Sequence, residues 1–144
     1  MSKEILKSNE FVVEVWENTL NENGMVLRSD IAEGWDMISG LVESVQSVGL
    51  DSKEVIIDFV ENSDLDVMRF FMDWKEGSAN RDLVIALGGN YGLRFKNCIV
   101  SDIVVSMMNI ESSSPLEVSV VMSYDDVEIV FKTGSDKRRA GSVE

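Results

Sequence analysis

Alternation of apolar and polar positions dominates the chain, and it is clearest over LEVSVVMSYDDVEIVF (116–131). Leu116, Val118, Val120 and Met122 take one face, and Glu117, Ser119, Val121 and Ser123 the other, the period of a strand buried on one side. Asp125 and Asp126 break the pattern and predict a kink or bulge before Val127–Phe131 resumes. FVVEVW (11–16) reads as a strand from its β-branched and aromatic content, and NENG (21–24) as a turn. LVESVQSVGL (41–50) and EVIIDFVEN (54–62), separated only by DSK, predict an antiparallel hairpin. After a polar SANRD loop, DLVIAL (82–87) is a strand and GGNYG (88–92) a turn. LRFKNCIVSDIVVSMMN (93–109) is one long strand or two consecutive ones, and ESSSP (111–115) a loop. Residues 28–40 fit either a short helix or an irregular loop with a strand beginning near Trp35.

One stretch has a different period. In SDLDVMRFFMDWKEG (63–77), Val67, Phe70, Phe71 and Trp74 fall at i, i+3, i+4 and i+7, one stripe of an α-helix. Ser63 or Asp64 is the expected cap, Asp64 and Asp66 suit the positive end of the dipole, and Lys75 with Gly77 marks the exit. The predicted fold is therefore mainly β (α+β): an antiparallel β-sandwich or barrel-like subunit with one flanking amphipathic helix at about 63–77. The single proline, Pro115, and the scattered glycines suggest no linker, so 1–134 is read as one domain and 135–144 as a polar tail.

Composition removes several kinds of chemistry. The chain has no histidine and one cysteine, Cys98, which takes away the usual transition-metal ligands, the commonest general base and any intramolecular disulfide. Cys98 leads into the apolar run Ile99–Val100 and is read as an inert packed thiol. GGNYG is followed by a strand rather than a helix, so it is not a dinucleotide loop. SDLDVMRFFMD lacks the central glycine of a calcium loop. No cofactor, metal or enzymatic activity is expected. No apolar run approaches the roughly 18–20 residues that span a bilayer, and MSKEILKSNE carries no signal-peptide apolar stretch, so folding in a cytoplasm without membrane insertion is expected.

Charge adds one functional constraint. The net charge is −13, from 26 acidic and 13 basic residues. Such a surface offers a nucleic acid little counterion release, so it either serves solubility or lets a polyanion pass without sticking. Lys137, Arg138 and Arg139 form the one basic cluster, either a solvated tail or a contact for an acidic patch on a neighbouring subunit or sheath.

Asp66, Arg69, Phe71, Asp73 and Trp74 form a D-x-x-R-x-F-x-D-W-like helix signature beside Phe70. With FVVEV (11–15), ISGLVESV (38–45) and LEVSVVMSYDDVEI (116–129), it resembles the tail tube proteins of contractile-tailed bacteriophages, relatives of the tubes of type VI secretion and extracellular injection systems. The resemblance implies subunits in stacked hexameric rings, whose inner sheets join into one barrel that conducts DNA. Sheath, baseplate and neck proteins would be the partners, in a virion tail assembled in the host cytoplasm. Polar members of the alternating strands, Glu43, Asp58, Glu117 and Ser119, are the candidate lumen residues. The chain departs from the family in joining 41–50 to 54–62 by DSK alone, and in an extra polar segment over 17–37. A tube initiator or terminator is thus an alternative to the main tube subunit. An acidic DNA mimic that binds a basic partner is another.

Overall fold

The computed structural model describes residues 10–131, apart from Gly89 and Met107. β1 (Phe11–Leu20) and β2 (Val26–Ile31) form an antiparallel hairpin. Asn21 builds its turn: the side-chain Oδ1 accepts from the backbone N–H of Asn23 and Met25 at 2.8 and 2.9 Å. Gly24 takes a φ of 83°, which glycine adopts without strain. A helical turn, α1 (Trp35–Ile38), and a 3-10 turn (Ser39–Leu41) lead into β3 (Val42–Gly49), which pairs with β4 (Glu54–Val60) as expected. Then come α2 (Asp66–Glu76), β5 (Asn80–Leu87), the long β6 (Tyr91–Val105), β7 (Glu117–Ser123) and β8 (Asp126–Phe131).

All strand pairs are antiparallel, and β6 belongs to two sheets. Its first half, Tyr91–Cys98, lies between β5 and β8 in a five-stranded sheet ordered β2-β1-β5-β6-β8. Its second half, Ile99–Val105, pairs with β7 in a four-stranded sheet ordered β6-β7-β4-β3. Asn97 sits at the crossing with a φ of 56°, left-handed backbone that asparagine tolerates better than most residues. Between β7 and β8, Tyr124 and Asp125 interrupt the pairing where the two aspartates break the alternation.

Both sheets face one core. The five-stranded sheet contributes Val13, Val15, Leu83, Ile85 and Phe95, and the four-stranded sheet Val55, Ile57, Phe59, Val118, Val120 and Met122. The buried stripe of α2, Val67, Phe71 and Trp74, closes one side together with Trp35 and Ile38 of α1. Phe71 stacks on Trp74 at a centroid distance of 5.7 Å and lies 5.2 Å from Phe59. This is the mainly β, helix-flanked architecture that the periodicity predicts. Among the described residues, no helix is long and apolar enough to cross a membrane.

Three local expectations are corrected. The helix begins at Asp66 rather than at residue 63, and neither Ser63 nor Asp64 caps it. Glu61 does the work from outside: its two oxygens accept from the N–H groups of Val67 and Met68 at 3.0 and 2.8 Å, and Asn62 Oδ1 accepts from Asp66 N–H at 3.1 Å. An acid there meets the free donors and the positive dipole end together. Residues 17–37 are no polar excursion but the second half of β1, β2 and α1. Strand β2 is nearly all exposed, so it has no buried face to produce alternation. Asn80 and Arg81 of the supposed SANRD loop start β5.

Candidate assembly surfaces

The outward face of the four-stranded sheet is the most organised polar surface. Because side chains alternate along a strand, burying Val55, Ile57 and Phe59 turns Asp58 outward, and burying Val118 and Val120 does the same for Glu117 and Ser119. The register sets Ser44, Asp58, Ser119 and Val104 in one row across the four strands. Ser44 Oγ donates to Asp58 Oδ2 at 2.9 Å, and Ser119 Oγ donates to Oδ1. Two hydroxyls thus satisfy a carboxylate that is only 8% exposed.

Glu43 sits where β3 shifts register against β4, between Val42 and Ser44. Its carboxyl lies above the ordinary glutamate range, through desolvation against the sheet, then the like charge of Glu117 and a hydrogen bond with it, and then Asp58. Among the described residues, the ion pairs are Arg28–Asp30, Arg81–Glu17, Arg94–Asp82 and Lys96–Glu128, none of them on this face. The four residues singled out by alternation therefore share one acidic, hydroxyl-rich face without a paired cation. Ser101 and Ser123 extend it, their hydroxyls 2.8 Å apart.

The outward face of the five-stranded sheet holds a cluster that alternation does not disclose. Arg94 Nε donates to Asp82 Oδ2 at 2.7 Å, and its Nη2 donates to Ser29 Oγ at 2.8 Å. Asp82 Oδ1 also accepts from Asn18 Nδ2 and from the Asn97 backbone, both at 3.0 Å. Arg94 and Asp82 are each 2% exposed, and the guanidinium lies 5.7 Å from the Trp16 ring centre. This network ties β1, β2, β5 and β6 together. A charged pair in so dry a place costs desolvation, which these hydrogen bonds offset in part, while Arg94 Nη1 is buried without a hydrogen-bond partner among the described residues.

Phe71 and Trp74 are buried, and Phe70 is half-buried between Trp35 and Arg81, whose guanidinium lies 5.1 Å from the Phe70 ring and 5.2 Å from Trp74. Asp66 bonds Asn62 at 2.9 Å and Arg69 is exposed. Lys137, Arg138, Arg139 and the 134/135 boundary lie outside the described residues. Cys98 is buried, donates to the Phe95 carbonyl at 3.3 Å, and is pushed up to about 12 by burial. No group of three potential metal ligands occurs among the described residues. A cleft of about 450 Å³ under the 106–116 loop is lined by serines, Asn109, Pro115, Leu116 and Glu117, with no nucleophile–base pair.

No family model matches the chain, and no curated protein does. Solved structures do. The chain is similar to a protein of the sheath–tube complex of an extracellular contractile injection system, PVC, in its extended state, with a TM-score of 0.55 and 9% identity over 89% of this chain and 93% of that one. It is equally similar to a protein of the tube-terminating cap of the anti-feeding prophage, with a TM-score of 0.55 and 8% identity over 92% and 95%. A protein of the sixfold-symmetrised baseplate of that particle matches at 0.53 and 12% identity over 90% and 97%. The chain thus shares its fold with components of contractile injection particles, along nearly its whole length.

Proposed function

We propose that this protein is a structural subunit of a phage-type tail tube, assembled into stacked hexameric rings, with the outward face of the four-stranded sheet turned to the lumen. The observation that carries the reading is the gathering of Glu43, Asp58, Glu117 and Ser119 on one unpaired acidic face of a sheet with open edges. Exposed edges pair with another chain unless they are blocked, and a closed ring satisfies them. An acidic wall offers a passing phosphate backbone no counterion release, so DNA slides through without being held. The shared fold with sheath–tube and baseplate proteins supports sheath, baseplate and neck components as partners, in a tail assembled in the host cytoplasm.

The tube-terminating cap matches as well as the sheath–tube protein, which favours a tube initiator or terminator as a second reading. Negative-stain electron microscopy of concentrated protein tests both. Long tubes support the main subunit, and single rings support an initiator or terminator. A strictly monomeric protein overturns both and favours the acidic mimic. For the lumen, Glu117→Cys in assembled tubes should react with a small maleimide but not with one carried on a large polymer. Equal reaction with both would overturn the face assignment.

A further inference from the structure

We propose that the segment before β1, MSKEILKSN (1–9), which lies outside the described residues, packs as a strap across the outward face of the five-stranded sheet. The register sets Val12, Ala86, Gly92 and Val130 in one row across β1, β5, β6 and β8. Their chain neighbours Val13, Ile85 and Leu93 belong to the core side, so this row points away from the core. Val12 is 51% exposed, as an apolar residue on an open face would be, yet Ala86 and Val130 are only 5% and 6% exposed. Neighbouring side chains do not account for that. Val130 lies on the outermost strand, and the residue beside it across the ladder is Gly92, which has no side chain. Ala86 has the same glycine on one side and the exposed Val12 on the other. Among the described residues, α1, α2 and the four-stranded sheet all pack on the core side, so none of them covers this row.

Two pieces of chain outside the described residues adjoin this end of the sheet. Residues 1–9 lead into β1 beside Gly88, whose N–H donates to the Glu10 carbonyl at 3.0 Å, and 132–144 follow Phe131, opposite Tyr91. Composition chooses between them. KTGSDKRRAGSVE offers only Ala140 and Val143 as apolar side chains, far from Phe131 in sequence, whereas MSKEILKSN carries Ile5 and Leu6 side by side. Crossing from β1 to β8 takes three strand spacings, about 14 Å, and the residues from Ile5 to Glu10 span about 17 Å when extended. Lys3 and Lys7 flank the apolar pair, and Glu14 and Glu128 stand in the next row of the same face. Glu14 has no ion-pair partner among the described residues. The strap therefore brings apolar surface to the apolar row and positive charge to the carboxylates beside it. Because the two sheets share one core, it lies on the side of the subunit opposite the proposed lumen face. A single chain suffices for this contact, so it is independent of ring formation.

Maleimide labelling tests the strap. Val130→Cys in the full chain should react slowly, and adding Ile5→Asp with Leu6→Asp should speed the reaction about tenfold or more, the protection that two buried aliphatic side chains sustain. Val12→Cys, on the open part of the row, should react fast with either N-terminus. Circular dichroism checks that each variant folds, with Ala86→Cys in place of Val130→Cys if the latter does not, and peptide mass mapping separates the new thiol from Cys98. Protection that persists on dilution supports a strap from the same chain. Protection lost on dilution gives the cover to a second copy and overturns the strap. Rapid labelling of Val130→Cys in the full chain also overturns it, as does a slow rate that Ile5→Asp with Leu6→Asp leaves unchanged.

Discussion

Trp74 shows what a single residue contributes. It is 5% exposed, stacks on Phe71 and lies beneath the Arg81 guanidinium. Trp74→Ala should cost about 3–5 kcal/mol in a urea titration, the cavity and transfer loss of a large buried ring. Unchanged stability with failed assembly would instead place Trp74 at an interface. Cys98 gives a second residue-scale expectation. Burial pushes its thiol up to about 12, so at about pH 8 almost no thiolate exists, and a disulfide reagent should leave it intact until the protein is unfolded. Rapid reaction of the folded protein would contradict its placement. Both roles are legible in sequence, from helical spacing and apolar context. The role of Arg94 is not, because its partners Asp82, Asn18 and Ser29 come from three other strands.

At the scale of elements, α2 depends on a residue before its first turn. Glu61 accepts from two helix N–H groups while its own N–H donates to the Leu116 carbonyl at 2.9 Å, so it fastens the helix start to the loop before β7. Glu61→Ala should lower stability by about 1–2 kcal/mol in thermal or urea unfolding, and Glu61→Gln should lose less. No change for either variant would mean that water replaces the cap without cost. Sequence alone points to Ser63 or Asp64, since both precede the helical stripe. Leu65, with a φ of 59°, turns the chain so that Asn62 and Glu61 reach the donors instead. Periodicity locates β7 and α2 because each has a buried face, and it misses β2 because that strand has almost none.

For the whole molecule, assembly should respond to pH through Glu43. Its carboxyl lies above the ordinary range in the folded chain, so between the unfolded value and the raised one the folded state binds more proton. Stability therefore rises as pH falls through that window, and is reduced above it, where Glu43 is ionised beside Glu117 and Asp58. Lowering pH from neutral toward the ordinary glutamate range should reduce the protein concentration needed for rings, as should added salt, read by sedimentation velocity. Glu43→Gln should form rings at the higher pH and flatten the dependence. An unaltered pH profile in that variant would show that Glu43 does not carry the dependence.

Sequence by itself determined what depends on local period and on composition. Alternation over 116–131 set the inward and outward faces of β7, the stripe of 67, 70, 71 and 74 set the helix, and the net charge of −13 with no histidine set the acidic character and removed most metal and general-base chemistry. These are properties that neighbouring residues in the chain establish together. Only the tertiary structure decided what depends on register between distant strands. It placed Ser44, Asp58 and Ser119 in one row, crowded Glu43 against Glu117, buried Arg94 with Asp82, and divided β6 between a five-stranded and a four-stranded sheet. The number of strands in each sheet also fixes the relative direction of its two edges, opposite in the four-stranded sheet and the same in the five-stranded one. No window along the sequence contains it, because it is a count taken across the sheet.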